Sequence, residues 1–134
     1  MKTWRLAIGL MYVFCFVIET LLAFKVYGHA EINAEDLIPL LTKLFAIYSI
    51  PLGVIVGGVF ASKGSTRRAA GPEIWGVFVL SIVWNGLLLV RYIIFAFGKQ
   101  DSVLQLGAFL DVVSTAGGFL ISGALAYLYG RNSS

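Results

Sequence analysis

The fold is decided by a stretch in the second half of the chain, residues 74–97, which reads IWGVFVLSIVWNGLLLVRYIIFAF. Arg91 is its one charged residue inside the apolar run, and its length is close to the ~20 residues with which a helix crosses the hydrocarbon core of a bilayer. Three more segments have the same character, namely residues 6–26, 37–61 and 103–129. Together they predict an all-α membrane protein in which four transmembrane helices form two helical hairpins and one bundle over residues 1–134.

The composition supports this fold class and argues against catalysis. Of the 134 residues, 59% are hydrophobic and 13% are charged, which lies outside the range of soluble domains. The loops are too short for a separate soluble domain. The sequence has no serine, histidine and carboxylate set, no paired cysteines and no phosphate-binding glycine loop. We therefore expect neither an enzyme nor a bound cofactor or metal.

The distribution of lysine and arginine predicts the orientation. These residues precede the first span, fill the loop between the second and third spans and follow the fourth: Lys2, Arg5, Lys63, Arg67, Arg68 and Arg131. Because positive loops stay in the cytoplasm, both termini are expected to be cytoplasmic, in a bacterial inner membrane. Lys63, Arg67 and Arg68 are interpreted as a topogenic loop held by lipid headgroups. No aromatic residues alternate with them, so nucleic acid is not an expected partner.

Each span contains one charged residue well away from its ends, and these four residues lie at a similar depth. Glu19, Lys43, Arg91 and Asp111 lie roughly 9 to 13 Å from the outer helix ends, at ~1.5 Å per residue. Two acids and two bases make a formally neutral layer, which predicts mutual pairing because an isolated charge in a membrane is costly. Two interpretations stay open. The layer either fixes helix register or serves as a gate, a coupling site or a proton relay.

The fourth span carries a stripe of small and hydroxyl-bearing residues. They recur at steps of three and four and so share one side of a helix: Gly107, Asp111, Ser114, Thr115, Gly118 and Ser122. Such a stripe suits close helix packing or the wall of a water-filled path. A ring of Asp111 carboxylates at the outer mouth would favour cations, unless a neighbouring cation such as Arg91 neutralises it.

Packing residues are also predicted on the second and third spans. Gly53, Gly57 and Ala61 form a row of small residues that lets another helix approach closely, either within the chain or between copies. Asn85 is expected to form a hydrogen bond between helices.

In size and layout, four short spans with a lone glutamate, Glu19, in the first resemble the small multidrug resistance transporters. The charges on the other three spans depart from that family's pattern, so the resemblance assigns no substrate and no residue role. The layout also resembles small phage-encoded or defence-associated membrane proteins that permeabilise cells.

Three functional hypotheses follow from the sequence. The first is a homo-oligomeric channel or pore-forming subunit, because so small a bundle has little room for an internal path. The second is a non-catalytic helical subunit or anchor of a larger membrane complex, for which helix faces are the available binding surface. The third is a small-cation or proton-coupled transporter.

Overall fold

A computed structural model describes residues 3–28, 33–61, 71–98 and 103–130 of the chain. The elements are α1 (Thr3–Gly28), α2 (Ala34–Ala61), α3 (Gly71–Phe97), α4 (Val103–Val112), a π-helical segment (Val113–Gly117) and α5 (Gly118–Gly130). The last three run on without a break and act as one long helix. The prediction of an all-helical chain with four helices long and apolar enough to cross a membrane is confirmed.

Local signals in the sequence set the helix ends. The carbonyl of Asn33 accepts from the N–H groups of Asp36 and Leu37 at 3.1 and 3.0 Å, which begins α2, and acidic residues occupy the first turn. Helix α3 ends where the N–H of Gly98 donates to the carbonyl of Ile94 at 2.6 Å. The loop with Lys63, Arg67 and Arg68 lies outside the described residues.

The four long helices pack as a ring. Helix α1 contacts α2 and α3, and the fourth helix, made of α4 and α5, contacts the same two neighbours from the opposite corner. Side chains that are almost completely enclosed, such as Tyr12, Leu44, Leu88 and Leu125, fill the centre. The outside is apolar as well, with Leu104 85% and Phe119 83% exposed. A surface this apolar is expected of a protein whose solvent is lipid.

Candidate functional site

The first polar feature is an ion pair between α2 and α4. Lys43 Nζ lies 2.8 Å from Asp111 Oδ2 and 3.5 Å from the carbonyl oxygen of Gly107. A side chain at Gly107 would begin 3.3 Å from Nζ, so the glycine leaves room for the ammonium group. The pair lies on the outside of the bundle, with side-chain exposures of 38% for Lys43 and 64% for Asp111. Two of the four predicted charge-layer residues are therefore in direct contact.

Glu19 occupies a different environment, in the centre of the bundle. It is 0% exposed, and the hydroxyl of Tyr48 donates to its Oε1 at 3.0 Å. Its second oxygen, Oε2, is enclosed and has no hydrogen-bond donor. Within the described part of the chain, Glu19 contacts a tyrosine and no cation. The sequence pattern did not predict the contact with Tyr48, although a tyrosine far from the aromatic belts of the membrane interfaces was the available signal.

A chain of buried polar groups continues from Tyr48 towards α3. The Tyr48 oxygen also lies 3.0 Å from Asn85 Oδ1, and its single proton can serve only one of its two acceptors at a time. Asn85 Nδ2 donates to the carbonyl of Ser81 at 2.8 Å, and Tyr12 donates to the hydroxyl of Ser81 at 3.2 Å. Asn85 therefore donates within α3 and faces the Tyr48 hydroxyl of α2. This network of polar side chains connects α1, α2 and α3 at one level of the bundle.

Arg91 lies over an aromatic ring. Its Cζ is 5.6 Å from the centre of the Phe109 ring, a cation–π distance that links α3 with α4. Of the four predicted members of the layer, the structure joins Lys43 to Asp111, and it places Glu19 on the separate network of Tyr48 and Asn85.

The predicted stripe on the fourth helix borders a groove of about 660 Å³ between α2 and that helix. Trp84 of α3 contributes to its lining, and the stripe supplies Ser114, Thr115, Gly118 and Ser122. The stripe changes character along its length: Gly107 is buried, whereas Ser114 and Thr115 are exposed. Its lower part therefore faces outward into the groove.

The π-helical segment lies in the wall of this groove. The N–H of Gly118 donates to the carbonyl of Val113, five residues back, and Thr115 Oγ1 donates to the carbonyl of Asp111 at 2.8 Å. A side chain on Gly117 would overlap the indole of Trp84, so the glycine permits Trp84 to press against the helix. Such one-turn π-bulges are frequent at functional sites. The adjacent glycines at 117 and 118 were the sequence signal for it.

Among the described residues, the predicted packing row on α2 is uncovered at its two glycines. An added Cβ at Gly53 or Gly57 would meet nothing within 4 Å, and the side chain of Ala61 lies outside the described set. Gly58 makes the close contact instead, because Tyr129 lies directly against its α-carbon. Gly53 and Gly57 therefore have no packing partner among the described residues.

Comparisons with known proteins identify no relative, since no family model, no curated protein and no solved structure matches the chain. In the described ranges, three or more histidine, cysteine, aspartate or glutamate side chains do not come together as a metal site would require.

Proposed function

We propose that the chain is a subunit of a homo-oligomeric ion channel in a bacterial inner membrane, with its groove face turned towards a neighbouring copy and a water-filled path. The observation that carries the proposal is the exposure of the Lys43–Asp111 ion pair on the outside of the bundle. Lipid is a poor solvent for such a pair. The face that carries it needs water or protein in front of it.

The ion pair lies at a depth that corresponds to the hydrocarbon core of a bilayer. Helix α2 has 28 residues and is ~42 Å long, so ~6 Å projects beyond each side of a hydrocarbon core ~30 Å thick. Lys43 lies ~13 Å from the start of α2 and Asp111 ~12 Å from the start of α4. The two residues would then lie ~6 to 7 Å inside the hydrocarbon. Lys43 is held by Asp111 and Gly107, which works against its reaching the headgroups.

The rest of the face supports assembly on the same side. Hydroxyl groups of Ser114 and Thr115 are exposed there, and such groups suit the wall of an aqueous path better than they suit lipid. In an apolar stretch of 18 residues within each span, 17% of the residues are buried in the fourth span, compared with 28 to 33% in the other three. The fourth helix is thus the one with most surface left for a partner.

The ion pair also changes the expected selectivity. A lone ring of Asp111 carboxylates would favour cations, but Lys43 compensates each carboxylate at 2.8 Å. We therefore expect the native channel to discriminate weakly between cations and anions. Lys43, and not Arg91, is the partner of Asp111 in this proposal.

Flux through protein reconstituted into liposomes tests the channel directly. Ser122→Leu fills the groove and should block the flux, whereas Ala7→Leu, which adds the same side chain on an exposed part of α1, should leave it unchanged. Equal flux in both variants would remove the groove from the path. A native protein that is monomeric and passes no ions at any applied voltage would contradict the channel and favour the alternative, a non-catalytic subunit of a larger complex.

The orientation is tested separately by cysteine labelling. In a background without Cys15, single cysteines at positions 31 and 65 are exposed to a membrane-impermeant reagent on intact cells. The lysine and arginine bias predicts labelling at 31 and protection at 65, with both termini in the cytoplasm. Labelling at 65 would reverse the topology.

A further inference from the structure

Arg5 is a buried cation at the end of the bundle that carries the start of α1 and the ends of α2 and α5. It is 4% exposed. Its Nη1 donates to the carbonyl of Gly58 at 3.3 Å, and its Nε is enclosed without an acceptor among the described residues. The guanidinium group has five N–H donors, and this one bond uses one of them.

Two aromatic rings hold the guanidinium group in place. Its Cζ lies 5.3 Å from the centre of the Trp4 ring and 5.4 Å from that of Tyr129, and the two rings meet edge to face at 5.6 Å. Tyr129 also donates its hydroxyl proton to the backbone carbonyl of Arg5 at 3.2 Å. Gly58 completes the arrangement because a side chain there would displace Tyr129. We call these four residues, Trp4, Arg5, Gly58 and Tyr129, the arginine cradle.

The charge of the cradle is not balanced. In the described parts of the chain no carboxylate contacts Arg5, and its neighbours are a carbonyl and two rings. Cation–π contacts recover only part of the free energy that is lost when a charge is buried without a counter-charge. An anion that accepted from the unused donors would offset this deficit.

We propose that the arginine cradle binds a phosphate group, supplied by an anionic phospholipid. Phosphate matches the guanidinium group in charge and in the spacing of its acceptors. The cradle lies ~2 to 5 Å from the helix ends, the level at which headgroups of a bilayer are found. One N–H of Nη1 is bonded and Nε is enclosed, so the phosphate is accepted by the remaining N–H groups of Nη1 and Nη2. This inference does not depend on channel activity.

The test measures lipid binding to the purified full chain in detergent. Delipidated protein receives phosphatidylglycerol, phosphatidylcholine or inorganic phosphate, and bound lipid is counted by native mass spectrometry alongside the unfolding temperature. We expect phosphatidylglycerol to bind and to raise the unfolding temperature, with phosphatidylcholine binding about tenfold more weakly because its net charge is zero. If inorganic phosphate gives the same stabilisation, the site takes free phosphate and the lipid assignment is wrong.

Variants then locate the site. Arg5→Gln should weaken phosphatidylglycerol binding about tenfold, the loss of one charge-assisted contact. Lys25→Gln is the matched control, because Lys25 is also a cation over a ring, 3.3 Å from the centre of Phe97, at the other end of α1. If Arg5→Gln does not fold, Tyr129→Phe keeps the ring and should retain the lipid. Absence of preference for phosphatidylglycerol in the native protein, or equal losses in the Arg5 and Lys25 variants, would overturn the proposal.

Discussion

The Lys43–Asp111 pair offers the sharpest test of the proposed path. In the native protein the two charges are 2.8 Å apart and largely cancel at the distance of a passing ion. Removing one charge leaves the other uncompensated. At ~4 Å a unit charge contributes about 1 kcal/mol in water, which is about fivefold in the local concentration of an ion. One sign of ion is enriched and the other depleted, so the cation-to-anion ratio changes by about thirtyfold before screening by salt.

If ions pass the pair as proposed, the sign of the remaining charge sets the direction of the change. Lys43→Gln leaves Asp111 alone and should make the channel select cations, whereas Asp111→Asn leaves Lys43 alone and should make it select anions. The double variant should return to the weak selectivity of the native protein. The assay is the reversal potential across a planar bilayer under a gradient of potassium chloride, repeated at two ionic strengths because screening reduces the effect.

The two single variants should shift the ion selectivity in opposite directions, which distinguishes an effect of charge from an effect of packing. A shift in the same direction for both single variants would mean that altered packing, and not charge, changed the current. Conducting variants with native reversal potentials would show that ions do not pass the pair. The double variant is the matched control, because it alters both side chains while conserving net charge.

Two further predictions concern stability in detergent, measured as free energy of unfolding. Tyr48→Phe removes the donor that the described residues provide to the buried carboxyl of Glu19, and it should cost about 1 to 3 kcal/mol. Tyr127→Phe is the control: it removes an exposed hydrogen bond to the carboxylate of Glu73 and should cost less than about 1 kcal/mol. Equal losses in the two variants would contradict the importance of burial. Gly117→Ala should cost about 1 to 3 kcal/mol, because the added methyl group would overlap the indole of Trp84. Gly86→Ala is the control: its methyl group meets open space, so the change should be neutral or stabilising. A Gly117→Ala variant of native stability would mean that the helix can move away from Trp84.

The number and extent of the helices could be predicted because one physical requirement dominates the sequence. A helix that crosses lipid must satisfy its own backbone groups and present apolar side chains for ~20 residues, which leaves a pattern visible without any tertiary information. Asn85 was predictable for a similar reason, since an amide in an apolar span needs a partner. Its one hydrogen bond to the carbonyl of Ser81 and its contact with Tyr48 meet that need.

The choice of partners was not predictable, because depth fixes one coordinate and packing fixes the others. Glu19, Lys43 and Asp111 have similar depths, but the ring of helices puts α2 beside α4 and turns Lys43 outward and Glu19 inward. Rotation of each helix about its axis depends on the whole core. The same holds for Arg5. Its position in the sequence suggested a topogenic charge, whereas the fold shows it buried between the rings of Trp4 and Tyr129.

The open glycines of α2 bear on where a second copy would dock. Ile50 and Val54 line the groove, and Gly57 follows Val54 at the spacing that keeps residues on one side of a helix. The groove and the unused glycine row are therefore continuous along α2. A neighbouring helix laid along that side would cover the groove and approach closely at Gly53 and Gly57, where none of the described residues lies within 4 Å of an added Cβ. One contact would account for both features, which favours an assembly built on this side of the bundle over one built on α1.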